Sequence, residues 1–314
     1  MRRTLKYYTL KLIVAFMIIR AVKADIYYIN YSLMGRYSFS GHESFFCKPL
    51  WLKKAYDSMN EGINFNTPDA VAILGVGKNM VASIRFWSRA FGLSVNDMPT
   101  PFANLIFNDE NGYDPYLEDE GTLWLLHYFL LTKKVASIYH LTFLDFQREK
   151  KEFDRNQLLT FIRRKCNVPE QKNVYNENTV KKDISVLLHN YVMPSDLRSS
   201  EDFSALFLDL GLINSLGSEK YCFNDIDPNH IHPDILLYAL LDYKGADNTI
   251  SLDGMQEVAL MFGLSLSNLI ELIREVVAQH PDDLSYTDNS GVKNLQFIHD
   301  IDADTVLNHY YAEL

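Results

Sequence analysis

The chain has 314 residues, 47% of them hydrophobic, with 30 basic against 40 acidic side chains and a formal charge of −10. That length and apolar content suffice for a sizeable core in two or three domains. The negative balance excludes a protein that coats nucleic acid indiscriminately, because such binding comes from clustered lysines and arginines. Cys47, Cys166 and Cys222 stand far apart with no C-x-x-C pair, which argues against a disulfide framework or a zinc knuckle.

Residues 1–33 imitate a secretory signal, with Met1-Arg2-Arg3, an apolar run over 12–19 and the small-residue stretch Val22-Lys23-Ala24. The run is too short to span a bilayer as a helix. Because Met34-Gly35-Arg36 is a natural beginning, the segment reads as upstream translation of a cytoplasmic protein, with secretion or periplasmic export as the alternative. Without it, 24 basic residues face 39 acidic ones, a net charge of −15. Any contact with DNA then has to come from local patches.

From residue 39 the polar cluster Ser40-Gly41-His42-Glu43-Ser44 precedes an apolar helix carrying Trp51, Lys53 and Lys54. His42 beside Glu43 suits an acid/base or metal pair, and equally the cap and turn that start a helix. The apolar run 70–74 then halts at Gly75-Val76-Gly77, and an amphipathic segment begins near Asn79, whose side chain is expected to cap it. This is the grammar of a helix-turn-helix. Met80, Ile84, Trp87 and Phe91 fall on one face at helical spacing, and Lys78, Arg85 and Arg89 fall on the other. The expected DNA contacts of this helix are Lys78, Asn79, Ser83, Arg85 and Arg89. A plain helical hairpin with solvated arginines is the competing reading. The stretch Gly75-Val76-Gly77-Lys78 lacks the G-x-x-x-x-G-K-[ST] spacing, so it is no phosphate loop.

After a break at Pro99-Thr100-Pro101, Asp114, Glu118, Asp119 and Glu120 precede the long apolar helix around Trp124. Acids there suit the positive end of a helix dipole. The sharper alternative is a magnesium site on Glu43, Asp114 and Glu118, since hard cations take carboxylate oxygens. The segment 150–165 reads as a helix with a basic end, favourable near a C-terminus and dense enough to meet phosphates. A second turn-helix follows, with Val180, Ile184, Leu187 and Tyr191 packing while Asn178, Lys182, Ser185 and His189 face outward as candidate DNA contacts. Two β-prone arms over 212–223 then surround a Gly-Ser turn. Beyond Pro228 and Pro233, a helix over 235–243, a restart at Ser251, a helix buried through Leu269, Ile270, Ile273, Val276 and Val277, and a hairpin over 284–297 form a further unit. Its outward Ser267, Glu271, Arg274 and Ala278 suit protein contact better than phosphate. The expected fold is mostly α with small β hairpins: a helix-turn-helix domain over 34–135, then winged-helix-like domains over 136–228 and 229–314.

Gly41-His42-Glu43-Ser44-Phe45, Trp51-Leu52-Lys53-Lys54, Leu74-Gly75-Val76-Gly77-Lys78-Asn79-Met80-Val81, and Asp114-Pro115-Tyr116-Leu117-Glu118 with Gly121-Thr122-Leu123-Trp124 together resemble the SspB-type proteins of bacterial DNA phosphorothioation, the domain-of-unknown-function family four thousand and seven. The likeness runs from about residue 37 to the end. It implies a cytoplasmic component of a phage-defence pathway that replaces a non-bridging phosphate oxygen of DNA with sulfur. The family member is thought to nick one strand of double-stranded DNA, working beside a cysteine desulfurase, an ATPase and a reductase-like pyrophosphatase. On this sequence a magnesium-dependent nickase would draw on His42, Glu43, Asp114, Glu118 and Asp119, although no PD-(D/E)xK or HNH spacing is present. The alternatives are a non-catalytic DNA-binding adaptor or regulator that recruits partners, homodimeric or not, and a scaffold that binds only protein.

Overall fold

Residues 121–131 are all buried, and the helix that carries them is the axis around which the rest is laid. A helix apolar on every side is stable only when wrapped on every side. The computed structural model describes residues 36–194, 204–289 and 292–314; the signal-like segment 1–33 lies outside them. Ser38–Leu314 forms one compact unit. It is mostly helical with small antiparallel sheets, as expected.

In chain order, α1 (Pro49–Asn60), α2 (Asp69–Leu74) and α3 (Lys78–Ala90) come first, then the short hairpin of β1 (Ser94–Val95) and β2 (Met98–Pro99), then α4 (Pro101–Phe107) and the axial α5 (Glu120–Lys133). The α2–α3 corner turns at Gly75, in the left-handed conformation (φ 64°) that glycine adopts without steric cost. The helix α3 starts one residue earlier than expected, at Lys78. Its N-cap is Gly77 without a side-chain cap, so Asn79 does not cap it. Ile84, Trp87 and Phe91 are buried as the periodicity demands, and Met80 is half-buried.

The next segment comprises α6 (Ser137–His140), a π-helical stretch Leu141–Phe146 and α7 (Gln147–Glu149). Then come β3 (Glu152–Asp154), α8 (Arg155–Cys166), α9 (Glu177–Tyr191), β4 (Ile213–Gly217) and β5 (Lys220–Phe223). The three strands form one antiparallel sheet in the order β3-β5-β4. An Asp154–Gln157 capping box starts α8 as soon as β3 ends. The last segment repeats this sequence of elements: α10 (Pro233–Lys244), β6 (Thr249–Ser251), α11 (Leu252–Met261), α12 (Leu266–Gln279), β7 (Leu284–Asn289) and β8 (Val292–Phe297), with sheet order β6-β8-β7. The α12 stripe is buried except for half-buried Val277, and Ser267, Glu271, Arg274 and Ala278 are exposed. The turn of the β7–β8 hairpin lies outside the described residues. A closing helix, α13 (Ala303–Ala312), returns to lie along α10 and to touch α5.

Candidate nucleic-acid interface

Asp183 sits on the packing side of α9, 3% exposed, and its carboxylate faces residues 40–42. The Ser40 N–H donates to Oδ2 (2.9 Å) and His42 Nε2–H donates to Oδ1 (2.9 Å). His42 Nδ1 accepts the Ser44 N–H (3.1 Å), which places the ring proton on Nε2. The imidazole stacks on Trp87 of α3 at 5.9 Å and meets the Phe86 ring edge-on. Further along, Trp87 Nε1–H donates to the Phe45 carbonyl, and the Cys47 N–H donates to Asn190 Oδ1 of α9. One loop, residues 40–47, is thereby fastened to both α3 and α9. Ser40, Glu43 and Ser44 are held at φ 76°, 48° and 66°, and left-handed backbone costs a non-glycine residue about 1–2 kcal/mol. Gly41 is the exception that the packing requires, because a Cβ there would lie 2.5 Å from the Phe86 ring. His42, expected as a base, is 3% exposed and is a strut between helices; Glu43 beside it is exposed.

On α3, Lys78, Asn79, Ala82 and Arg89 are exposed and Arg85 is half-buried. Positions 78, 82, 85 and 89 form one stripe. Ser83 is not part of it: fully buried, with its Oγ unpartnered, it faces the core and cannot reach a duplex. Arg85 is on the stripe but engaged. Its Nε and Nη2 donate to Asp97 Oδ1 (2.7 Å) and Oδ2 (2.6 Å) in the β1–β2 turn, and Nη1 donates to Asn66 (2.9 Å). The Asp97 carboxylate lifts the Arg85 pKa further above its already high value. Among the described residues Lys78 and Arg89 have no ion pair.

The corresponding stripe of α9 carries exposed Asn178, Lys182 and His189 with half-buried Ser185, and the His189 ring lies 5.5 Å from Phe46 of the shared loop. Val180, Ile184, Leu187 and Tyr191 are buried, as the spacing requires. The basic end of α8 behaves otherwise. Arg163 pairs with Glu177, Arg164 with Glu149 and Lys165 with Asp145, so the expected phosphate patch is largely neutralised at its source.

The acidic segment ahead of α5 is a socket. Buried Asp114 accepts the N–H groups of Glu118 (2.8 Å) and Asp119 (3.1 Å). Asp119 caps α5 through the Thr122 N–H (2.8 Å) and accepts the Tyr310 hydroxyl of α13 (2.9 Å). Thr122 and Tyr311 share a hydroxyl bond, and Tyr113 stacks on Tyr311 at 4.5 Å. Glu118 alone of the three expected carboxylates there is exposed. Among the described residues, the group that brings three ligand atoms within 4.8 Å of one another is Asp234, His309 and Glu313. Glu43, Asp114 and Glu118 do not form such a group of three.

The partners that sequence reasoning missed are Asp97, Asp183 and the two tyrosines of α13. Only Asp183 left a trace, as an acid inside the apolar stripe of α9. No helix among the described residues is long and apolar enough to cross a membrane. A search of curated proteins finds no match. Among solved structures, a magnesium ion-bound SspB crystal structure is similar at 31% identity, with 88% of each chain covered and a TM-score of 0.76. An SspB crystal structure is similar at 30% identity over the same shares, with a TM-score of 0.75. The model of a family described as protein of unknown function (DUF4007) matches residues 39–311, and with that span the chain belongs to the DUF4007 family and has an SspB-like fold.

Proposed function

We propose that this chain is the DNA-binding component of a bacterial DNA phosphorothioation phage-defence system, and that it reads double-stranded DNA with α3 and α9. The observation that carries this reading is the repeated outward stripe, with Lys78, Ala82 and Arg89 exposed around half-buried Arg85 and Asn178, Lys182 and His189 exposed around half-buried Ser185, on two helices that one strained loop holds together. α3 follows α2 across the tight turn at residues 75–77 and α9 follows α8 across the longer connection 167–176, and each precedes a hairpin, the order in which a recognition helix and its wing occur. In 136–228 and 229–314 the helix-strand-helix-helix-strand-strand order, with the first strand beside the third, supports winged-helix units. The third unit presents Glu271 beside Arg274 and suits a protein partner, a role open to the desulfurase, ATPase or pyrophosphatase of such a system or to a second copy of the chain. Cytoplasmic residence follows from that role.

The test is fluorescence anisotropy with a labelled duplex across a salt series. Lys78→Glu with Arg89→Glu and Lys182→Glu are expected to weaken binding at least tenfold and to flatten the log K against log salt slope by about 2 to 3. Unchanged affinity and slope would refute the reading.

Nicking by this chain itself has one observation in its favour: Glu43 is exposed on the strained loop between the two helices, and strain gathers at functional sites. Against it, His42, Asp114 and Asp119 are already engaged in holding the fold. A supercoiled plasmid with magnesium separates the two readings, because a nickase loses activity on Glu43→Ala and a DNA-positioning protein has none to lose.

A further inference from the structure

The closing helix α13 meets the first turn of α10, and two imidazoles and two carboxylates converge there. Asp234, in the first turn of α10, is 3% exposed. His309 Nδ1 lies 2.7 Å from Asp234 Oδ2. Glu313 follows His309 by four residues, so both project from one helix face, and its Oε1 lies 3.5 Å from His309 Nε2. His232, the N-cap of α10, accepts the Asp234 N–H on Nδ1 (3.2 Å). Its Nε2 therefore carries the proton and faces Glu313 Oε2 at 3.7 Å. No lysine or arginine among the described residues pairs with Asp234 or Glu313. The nearly buried carboxylate needs a counter-charge, which either an imidazolium at His309 or a bound cation can supply.

We propose that Asp234, His309 and Glu313 form a binding site for a divalent transition-metal ion of the zinc or manganese class. One imidazole nitrogen and two carboxylate oxygens make a mixed N/O donor set, which suits borderline cations. Magnesium takes oxygen almost exclusively and dehydrates reluctantly. One ring nitrogen of His309, one oxygen of Asp234 and one of Glu313 lie within 4.8 Å of one another, a spread that side-chain rotation narrows to the roughly 3–3.5 Å between ligand atoms around such an ion, with one nitrogen of His309 turned to the ion. His232 is a positioning residue: its Nε2 faces the Glu313 carboxylate from 3.7 Å, where a short approach on metal binding makes it the outer-shell partner that metal ligands commonly have. The ion joins segments 75 residues apart and seats α13 against α10. The site stands apart from the stripes of α3 and α9, and its failure leaves the DNA-binding reading untouched.

The experiment is calorimetric titration of chelator-treated full-length protein with zinc chloride and manganese chloride, with magnesium chloride as the comparison. One saturable equivalent of zinc or manganese is expected, at least a hundredfold tighter than magnesium, with a rise in melting temperature. Glu313 is exposed, so Glu313→Gln spares the fold; it is expected to weaken binding at least tenfold, and His309→Gln to abolish it together with the thermal shift. No stoichiometric binding, or both variants titrating like the parent, would show that the four side chains are only a hydrogen-bonded clasp.

Discussion

Asp183 decides what His42 can do. A histidine whose Nδ1 is filled by a backbone N–H and whose Nε2–H is spent on a buried carboxylate has no lone pair left for a substrate. It holds α3 at a fixed distance from α9 instead. His42→Ala strands the Asp183 carboxylate with the Ser40 N–H alone, and hydrogen bonds to charged groups are worth about 1.5–3 kcal/mol each. Urea unfolding should show a loss of about 2–3 kcal/mol. A catalytic base would behave in the opposite way, losing activity while stability held. A second residue-scale outcome concerns Arg85, whose fork is closed on Asp97. Asp97→Asn removes the competing charge, and if the stripe of α3 meets phosphates the variant binds duplex more tightly, with a salt slope steeper by about 0.9. An unaltered slope would mean that Arg85 serves only to hold the hairpin on its helix. Both partners are acids far from their mates in sequence, 141 and 12 residues away. Neither periodicity nor spacing can announce such pairs, and that is why the stripe positions were legible and their availability was not.

At the scale of elements, the legible part is what burial imposes on long periodic segments. The packing faces of α3, α9 and α12 follow from apolar residues repeating at three and four, and the β4–β5 and β7–β8 hairpins from short β-prone arms around a turn. β3 and β6, three residues each, are too short to show alternation, yet they complete both three-stranded sheets. The π-helical stretch Leu141–Phe146 likewise has no composition of its own. The acidic cluster is legible as helix-terminal, but its role as a socket is not, because its partner Tyr310 on α13 lies 191 residues beyond Asp119. That socket makes a sharp prediction. A Cβ on Gly121 would collide with the Tyr310 ring and hydroxyl, which are held by Asp119. Gly121→Ala should therefore cost about 1–3 kcal/mol by overpacking and raise hydrogen exchange selectively in α13. Exchange unchanged in that helix would mean that Tyr310 is not what seats it.

For the molecule as a whole, the groups that tie its parts together are also its pH sensors. His127 of α5 is fully buried; its Nε2–H donates to the Met261 carbonyl at the end of α11 (2.7 Å), and its Nδ1 accepts the Tyr191 hydroxyl of α9 (2.6 Å). Burial lowers its pKa from 6.5 to about 3, against a smaller opposing pull from the Met261 carbonyl. His140 is lowered to about 4, first by burial and then by Lys134. The folded state thus keeps both imidazoles neutral over a range where the unfolded chain has already protonated them. With more protons on the unfolded side, stability is complete above pH 6.5 and falls as pH drops toward 4, by up to about 1.4 kcal/mol per pH unit for each histidine. His309, raised by Asp234, pulls the other way, but from an exposed position where solvent screens the pair. Two buried groups outweigh it. Urea midpoints should stay nearly level from pH 7.5 to about 6.5 and fall from there to pH 5, before most carboxylates titrate, and His140→Gln should flatten the decline even where it lowers stability at neutral pH. A midpoint that stays level down to pH 5 would mean that these two imidazoles are hydrated in the folded protein, and that the His127 junction of α5, α9 and α11 is not dry.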